Sequence, residues 1–322
     1  MKIVIPLSCA DDYPIFAQAG ADEFFIGYVP LVWLERYINI IPINRREYIL
    51  GTYSIHDAVS MNVIQSYIQK NNLPVAITLN AHYFVKSQYP ILMDIIAELI
   101  NMNFDTFILA DLGLIIYLKE KGINCKIQIS SEMEVCNSRT IRFLKDLNVQ
   151  RIIFSRKTSL DEMKQIIDNV DDISMEYEAF CLNDLCPYSG AFCNSIHGDC
   201  LNPVCSVPVR GMRYSQQGNK FKREYKYYEK MTELTINNKQ PISTYKLGAS
   251  GCGVCRIKTM ADNGVTHLKV VGRGAPKETM CADISNIKKV IALSENSDIK
   301  DYDQMIKDKF FPDGCTFLCY YT

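Results

Sequence analysis

The chain has 322 residues, 48% of them apolar, which is enough for two ordinary domains or for one α/β barrel carrying an insertion. Its 35 Lys and Arg against 36 Asp and Glu leave a formal net charge of −1, which excludes a broad electrostatic attraction to nucleic acid or anionic membrane. Thirteen cysteines, an odd number in a chain this long, argue against a secreted disulfide scaffold.

The apolar run 3–10 is cut by Asp11 and Asp12, too early for the core of a signal peptide. The longest apolar stretch, 24–34, is about half of the roughly 20 residues that a membrane helix needs. A cytoplasmic chain with reduced thiols and no membrane partner is expected, and its cysteines then call for metal ligation or redox chemistry.

In chain order, 2–6 reads as a strand, and Asp11-Asp12-Tyr13-Pro14 opens a helix that Gly20 ends. A second strand spans 23–27. After a less regular stretch come a helix over 55–71 and strands over 75–79, 106–110, 125–130, 151–155 and 173–180. Helical spacing fills the intervals 88–101, 112–121, 137–147 and 159–168. An eighth strand fits 267–271 and a helix 283–293. Eight strands in repeating β-then-α order predict a (β/α)8 TIM-like barrel, with a doubly wound open sheet as the alternative. Residues 1–180 supply seven units, 181–266 form a cysteine-rich insertion between strands seven and eight, and 267–322 hold the last strand, a helix and the tail. In a barrel that insertion emerges at the C-terminal face, where active sites sit.

Seven cysteines fall in the insertion: Cys181, Cys186, Cys193, Cys200, Cys205, Cys252 and Cys255. Thiolates in Gly- and Pro-rich loops suit an iron-sulfur cluster or zinc, while packed free thiols are the plain alternative. Cys252 and Cys255 form a C-x2-C that reads as a redox pair, half of a zinc site, or one cluster ligand beside a spare thiol. Cys315 and Cys319 either fold back to the site or pack in the tail; Cys9, Cys125, Cys136 and Cys281 are expected in the core. His197, among the cysteines, is a candidate ligand or ligand neighbour, with a plain loop residue as the alternative.

Glu178-Ala179-Phe180 followed by Cys186-Pro-Tyr-Ser-Gly-Ala-Phe-Cys193 resembles the hallmark of the U32 peptidase (collagenase-like protease) family, in which Glu-x-Phe leads into Cys-x6-Cys. The segments 129–137, 148–156 and 159–163 look like the family's Ser-x-x-Met, Gly-Val-x-Arg and Ser-Leu-x-Glu series, and 264–273 looks like its Gly-Val-x-x-Leu-Lys-Ile-Glu-Gly-Arg strand. The resemblance implies a barrel and, as in several members, a 4Fe-4S cluster serving oxygen-independent hydroxylation of a ubiquinone precursor, tRNA or ribosomal RNA. Carried over, the ligands are Cys186, Cys193 and Cys255, with Cys205 or Cys200 as the third in chain order. Asn183-Asp184, Val271 and Lys157 depart from the family's His-Gly, acidic residue and Glu, which points to a divergent branch.

Glu178, near a strand end, is a candidate acid, base or orienting group, with a structural hydrogen-bonding role as the alternative. Arg273, flanked by Gly272 and Gly274, is placed to bind a carboxylate or phosphate, or else to make a surface salt bridge. Ser131 and Glu132 share that face by the same logic. Basic and aromatic residues interleave over 213–230, which suits RNA or, more simply, a solvated hairpin or lid. The expected function is an iron-sulfur enzyme modifying a small molecule, peptide or RNA, with a possible partner subunit. A peptidase and a metal-stabilised binding protein are the alternatives.

Overall fold

The computed structural model describes residues 1–37, 41–45, 53–170, 172–186, 190, 191, 193, 245–295, 301–316 and 318–321. Apolar strand-forming runs give β1 (Lys2–Pro6), β2 (Glu23–Tyr28), β3 (Ser54–Ile55), β4 (Val75–Leu79), β5 (Thr106–Leu109), β6 (Lys126–Ile129), β7 (Val149–Ile153), β8 (Glu176–Leu182) and β9 (His267–Val270). Every pairing between them is parallel. The order β1-β9-β8-β7-β6-β5-β4-β2, closed by β1 on β2, is a ring of eight strands. The expected TIM-like barrel is therefore what forms, and β3 is a two-residue addition paired to Gly27 and Tyr28 at the C-terminal end of β2.

Helices return the chain between strands. In α1 (Asp12–Ala19) the chain stops at Gly20 with φ 108°. The helix α2 (Leu31–Tyr37) follows β2. The start of α3 (Ala58–Asn71) is set by Asp57, whose carboxylate accepts from Ser60 N, so Ile55 belongs to β3 and not to the helix. Ile91, Leu92, Ile95, Ile96 and Leu99 form the buried stripe of α4 (Tyr89–Asn101) at the three-and-four spacing of a core-facing helix. Then follow α5 (Leu112–Glu120), α6 (Ser138–Lys145), α7 (Leu160–Val170), α8 (Ile257–Asp262), α9 (Lys277–Ser294) and α10 (Tyr302–Phe310). Among the described residues no helix is long and apolar enough to cross a membrane.

The seventh ring strand starts later than its apolar run suggests. Asp172 accepts hydrogen bonds from the backbone and hydroxyl of Ser174, forming a turn that leaves Ile173 fully exposed and delays β8 until Glu176. Its far end runs on through Cys181 and Leu182, where the register against β9 shifts between Phe180 and Leu182.

The barrel interior is charged. Arg151, on β7, donates to Glu23 (2.7 Å), Glu176 (2.9 Å) and Glu178 (3.1 Å), and lies 2.8 Å from His267 Nε2. Lys2 caps Glu23 from the N-terminal end at 2.9 Å, and Lys269 Nζ holds the other Glu178 oxygen at 2.6 Å. Charges thus alternate in sign along the interior, from Lys2 through Glu23, Arg151 and Glu178 to Lys269. Burial alone would raise the Glu178 pKa, but the charges of Lys269 and Arg151 outweigh it and keep the carboxyl below its ordinary value.

Arg151→Met leaves Glu23 and Glu178 buried without their shared cation, so unfolding free energy at neutral pH is expected to fall by about 3–5 kcal/mol. Equilibrium urea unfolding against wild type checks this; a loss under about 1 kcal/mol would show that the ladder does not hold the barrel.

Candidate active site

The C-terminal ends of the strands and their following loops enclose a pocket of about 880 Å³, counting its open mouth. Its wall carries Arg45, Arg156, Lys269 and Arg273 against a single carboxylate, Glu132, so the lining is net positive among the described residues.

Glu132 sits on the 3-10 turn Ser131–Met133 that follows β6. Ser130 caps this turn by accepting from Glu132 N at 3.3 Å, and Asn80, just beyond β4, donates to the same hydroxyl at 3.3 Å. One carboxylate oxygen, Oε2, meets Arg45 Nε at 3.1 Å and His82 Nε2 at 3.2 Å. Burial would raise the Glu132 pKa, but the His82 hydrogen bond and the Arg156 and Arg45 charges reverse that and hold it at about 2. Arg45 also donates to the Cys193 carbonyl at 2.7 Å, and its own N–H donates to Asn80 Oδ1 at 3.0 Å. One guanidinium and one carboxylate thereby join four separate loops. Gly190 lies against this carboxylate so closely that a Cβ there would stand 2.5 Å from Glu132 Oε2, which is why the Cys186-to-Cys193 segment needs glycine at that point.

The remaining cations come from β7 and β9. Arg156, past the end of β7, stacks its guanidinium 3.9 Å from the Phe180 ring centroid, and its buried Nε has no hydrogen-bond partner. Lys269 Nζ stands 3.8 Å from the centroid of Phe25 and is 7% exposed. Burial draws its pKa down, and Glu178 restores part of the loss. Arg273 follows Gly272, whose φ of 107° turns the chain into the mouth, and lies 5.6 Å from the same Phe25 ring.

The expected site residues divide. Arg273, Ser131, Glu132, Cys186 and Cys193 line the pocket. Glu178 does not; it is 0% exposed beneath Lys269 and orients that amine. Cys255 is off the pocket wall, buried on the 3-10 turn Val254–Arg256. Cys200, Cys205, His197 and the basic-aromatic stretch 213–230 lie outside the described residues. Among the described residues no three His, Cys, Asp or Glu side chains converge on one metal position, and the four-thiol set carried over from the resemblance includes Cys200 or Cys205, outside those residues. Sequence reasoning passed over Arg45, His82, Asn80, Arg156 and Lys269 as site groups. Lys269 carried a signal, a charge inside the apolar strand 267–271, whereas Arg45 and His82 come from irregular segments without one.

A model of peptidase family U32 matches residues 11–314. Curated relatives include a tRNA hydroxylation protein P of Haemophilus influenzae, 31% identical over 37% of this chain and 22% of its own length. That of Helicobacter pylori is 23% identical over 61% and 45%. An uncharacterized protease of Methanocaldococcus jannaschii is 27% identical over 63% and 48%. The chain spans no more than about half the length of these relatives. A solved U32 peptidase covers 84% of this chain and 93% of its own, at 10% identity and a TM-score of 0.48.

Glu132 has a folded pKa depressed from 4.5 to about 2, so its contribution is complete above pH 4.5 and is lost as pH falls toward 2. Glu132→Gln should cost about 3 kcal/mol at pH 7, and the gap to wild type should close across that acid window. Urea unfolding at a series of pH values measures both; a gap independent of pH would refute the assignment.

Proposed function

Because the chain belongs to peptidase family U32, and its curated relatives include tRNA hydroxylation proteins, we propose that it hydroxylates a nucleoside in RNA at the mouth of the barrel. The observation that carries this reading is the pocket wall itself. Four cations surround a single carboxylate that is already committed to Arg45 and His82. Such a lining favours a polyanion and disfavours a neutral peptide backbone.

In this reading Lys269 and Arg156 hold an anionic group of the substrate. Lys269 is presented by Glu178 from below, and Arg156 offers a buried Nε–H that has no hydrogen-bond partner among the described residues. Phe25 and Phe180 lie buried behind these cations, which rest against their ring faces. Glu132 stays ionised and keeps His82 and Arg45 in place. An iron-sulfur cluster, the cofactor implied by the family resemblance, would supply electron transfer or oxygen-atom activation. Of its expected ligands, Cys186 and Cys193 are the ones on this wall among the described residues.

Total tRNA and ribosomal RNA from cells lacking the gene, digested to nucleosides and weighed by mass spectrometry, should lose one species heavier than its parent by one oxygen. Wild-type protein should restore it. Lys269→Met and Arg156→Gln should lower the restored level at least about tenfold, as expected for removing more than about 1.4 kcal/mol of binding. An RNA nucleoside profile unchanged by the deletion overturns the proposal.

A further inference from the structure

Residues 318–321 return to the end of β8 that carries Phe180. That strand finishes in an antiparallel bridge from Leu182 to Cys252, and Cys252 pairs in parallel with Cys319. Cys252 N donates to the Leu318 carbonyl and Tyr320 N to the Cys252 carbonyl, each at 2.8 Å, while Gly253 N donates to the Cys181 carbonyl at 2.8 Å. Two tyrosines fasten the segment further, Tyr320 donating to the Asn183 carbonyl and Tyr321 to that of Phe180 at 2.7 Å. Gly253 admits the second ring, since a Cβ there would stand 2.8 Å from the Tyr321 side chain.

Tyr320 stacks on Phe180, with the ring centroids 5.9 Å apart and the planes 19° from parallel. The same Phe180 ring carries the Arg156 guanidinium 3.9 Å from its centroid. Phe180 and both tyrosines are buried, so the rings support one another away from solvent. Arg156 lines the pocket, and its buried Nε has no hydrogen-bond partner among the described residues, which leaves the ring as the contact that sets the direction of the guanidinium plane. A phenyl ring that could tilt would let the guanidinium swing with it. Stacked on a buried tyrosine whose hydroxyl is itself held, the ring keeps one orientation.

We propose that Tyr320 is a positioning residue of the mouth: through Phe180 it fixes the direction from which Arg156 meets an anionic group of the substrate, so that residues 318–321 belong to the binding site. This rests on the reading of the mouth as the place where RNA binds. The gain is preorganisation. A guanidinium already aligned gives up little rotamer freedom when an anion arrives, and its planar fork depends on alignment in a way that a lysine's point charge does not. Lys269 is aligned from below by Glu178, and Arg156 is aligned from the tail by Tyr320, so each of these two cations has its own support.

The test uses the full chain with Tyr320→Leu, which removes the ring, and Tyr320→Phe, which keeps the ring and gives up the bond to Asn183. Phenylglyoxal labelling mapped by peptide mass reads Arg156 without any ligand. Loss of the ring should speed Arg156 labelling by about threefold to tenfold, the scale of one aromatic pair, while Arg273 on the same wall keeps its rate and Tyr320→Phe restores that of Arg156. With unmodified tRNA as the binding probe, Tyr320→Leu should weaken binding by about the same factor in the wild-type background and by nothing further in an Arg156→Gln background, because residues acting through one contact do not add. A tail with a merely structural role would cost the same in both backgrounds. Hydrogen exchange of the unmutated chain covers a Tyr320→Leu protein that fails to fold: saturating tRNA should slow the Tyr320 amide more than the amides of α6. Equal Arg156 labelling in wild type and Tyr320→Leu, a full Tyr320→Leu cost beside Arg156→Gln, or a Tyr320 amide slowed no more than α6 overturns the proposal. A labelling shift in a chain whose wild type binds no tRNA refutes the RNA reading instead and leaves the positioning role standing.

Discussion

The alternation of charge along the barrel interior is the constraint on which the remaining structure depends. Glu23, Arg151, Glu178 and Lys269 are all at least nine-tenths buried, and each pairs with the next residue along. Their sequence separations, 128 residues for Glu23 and Arg151 and 91 for Glu178 and Lys269, mean that the ladder exists only when the ring of strands is closed. An apolar interior would hold the barrel as well or better, because desolvating ions is costly. What the ions add is a defined upper end: Lys269 reaches the mouth with its amine already held by Glu178. Stability and the chemistry of the pocket floor are thus the same set of contacts.

Above that floor, Glu132 and Arg45 do for the loops what the ladder does for the strands. Their ion pair, with His82, Asn80 and the Cys193 carbonyl, fixes the approach of the Cys186-to-Cys193 segment, and Gly190 is the residue that lets it come close enough. Arg156 and Arg273 line the space that this lattice encloses, each beside an aromatic ring. Cations held in place by aromatic faces and buried carboxylates lose little freedom when an anion arrives, which is the physical basis for reading the mouth as a binding site.

Legibility in the sequence followed the range of the physics. The strand and helix pattern was readable because side-chain alternation and capping are local. It failed where a local turn overrode it, as when Asp172 and Ser174 delayed β8 and left Ile173 in solvent, and it missed the short elements α2, β3, α8 and α10. Arg273, Ser131 and Glu132 were legible as site residues because they fall just past predicted strands. Glu178 shared that signal, yet it points down the barrel, since its neighbours on β7 and β9 are Arg151 and Lys269. Arg45 and His82 were silent because nothing local distinguishes an arginine or histidine in an irregular segment.

By itself the sequence determined the barrel, through eight apolar runs at regular intervals, and the concentration of thiols after the seventh ring strand. Only the tertiary structure decided which of those groups meet. Closing the ring converts Glu178 from a candidate catalyst into the support of Lys269. The return of the tail brings Cys319 onto Cys252, 67 positions away in the sequence numbering. The reason is that periodicity reports which face of an element is buried, whereas the partner of a buried charge or thiol is set by strand order and by the path of the chain between elements.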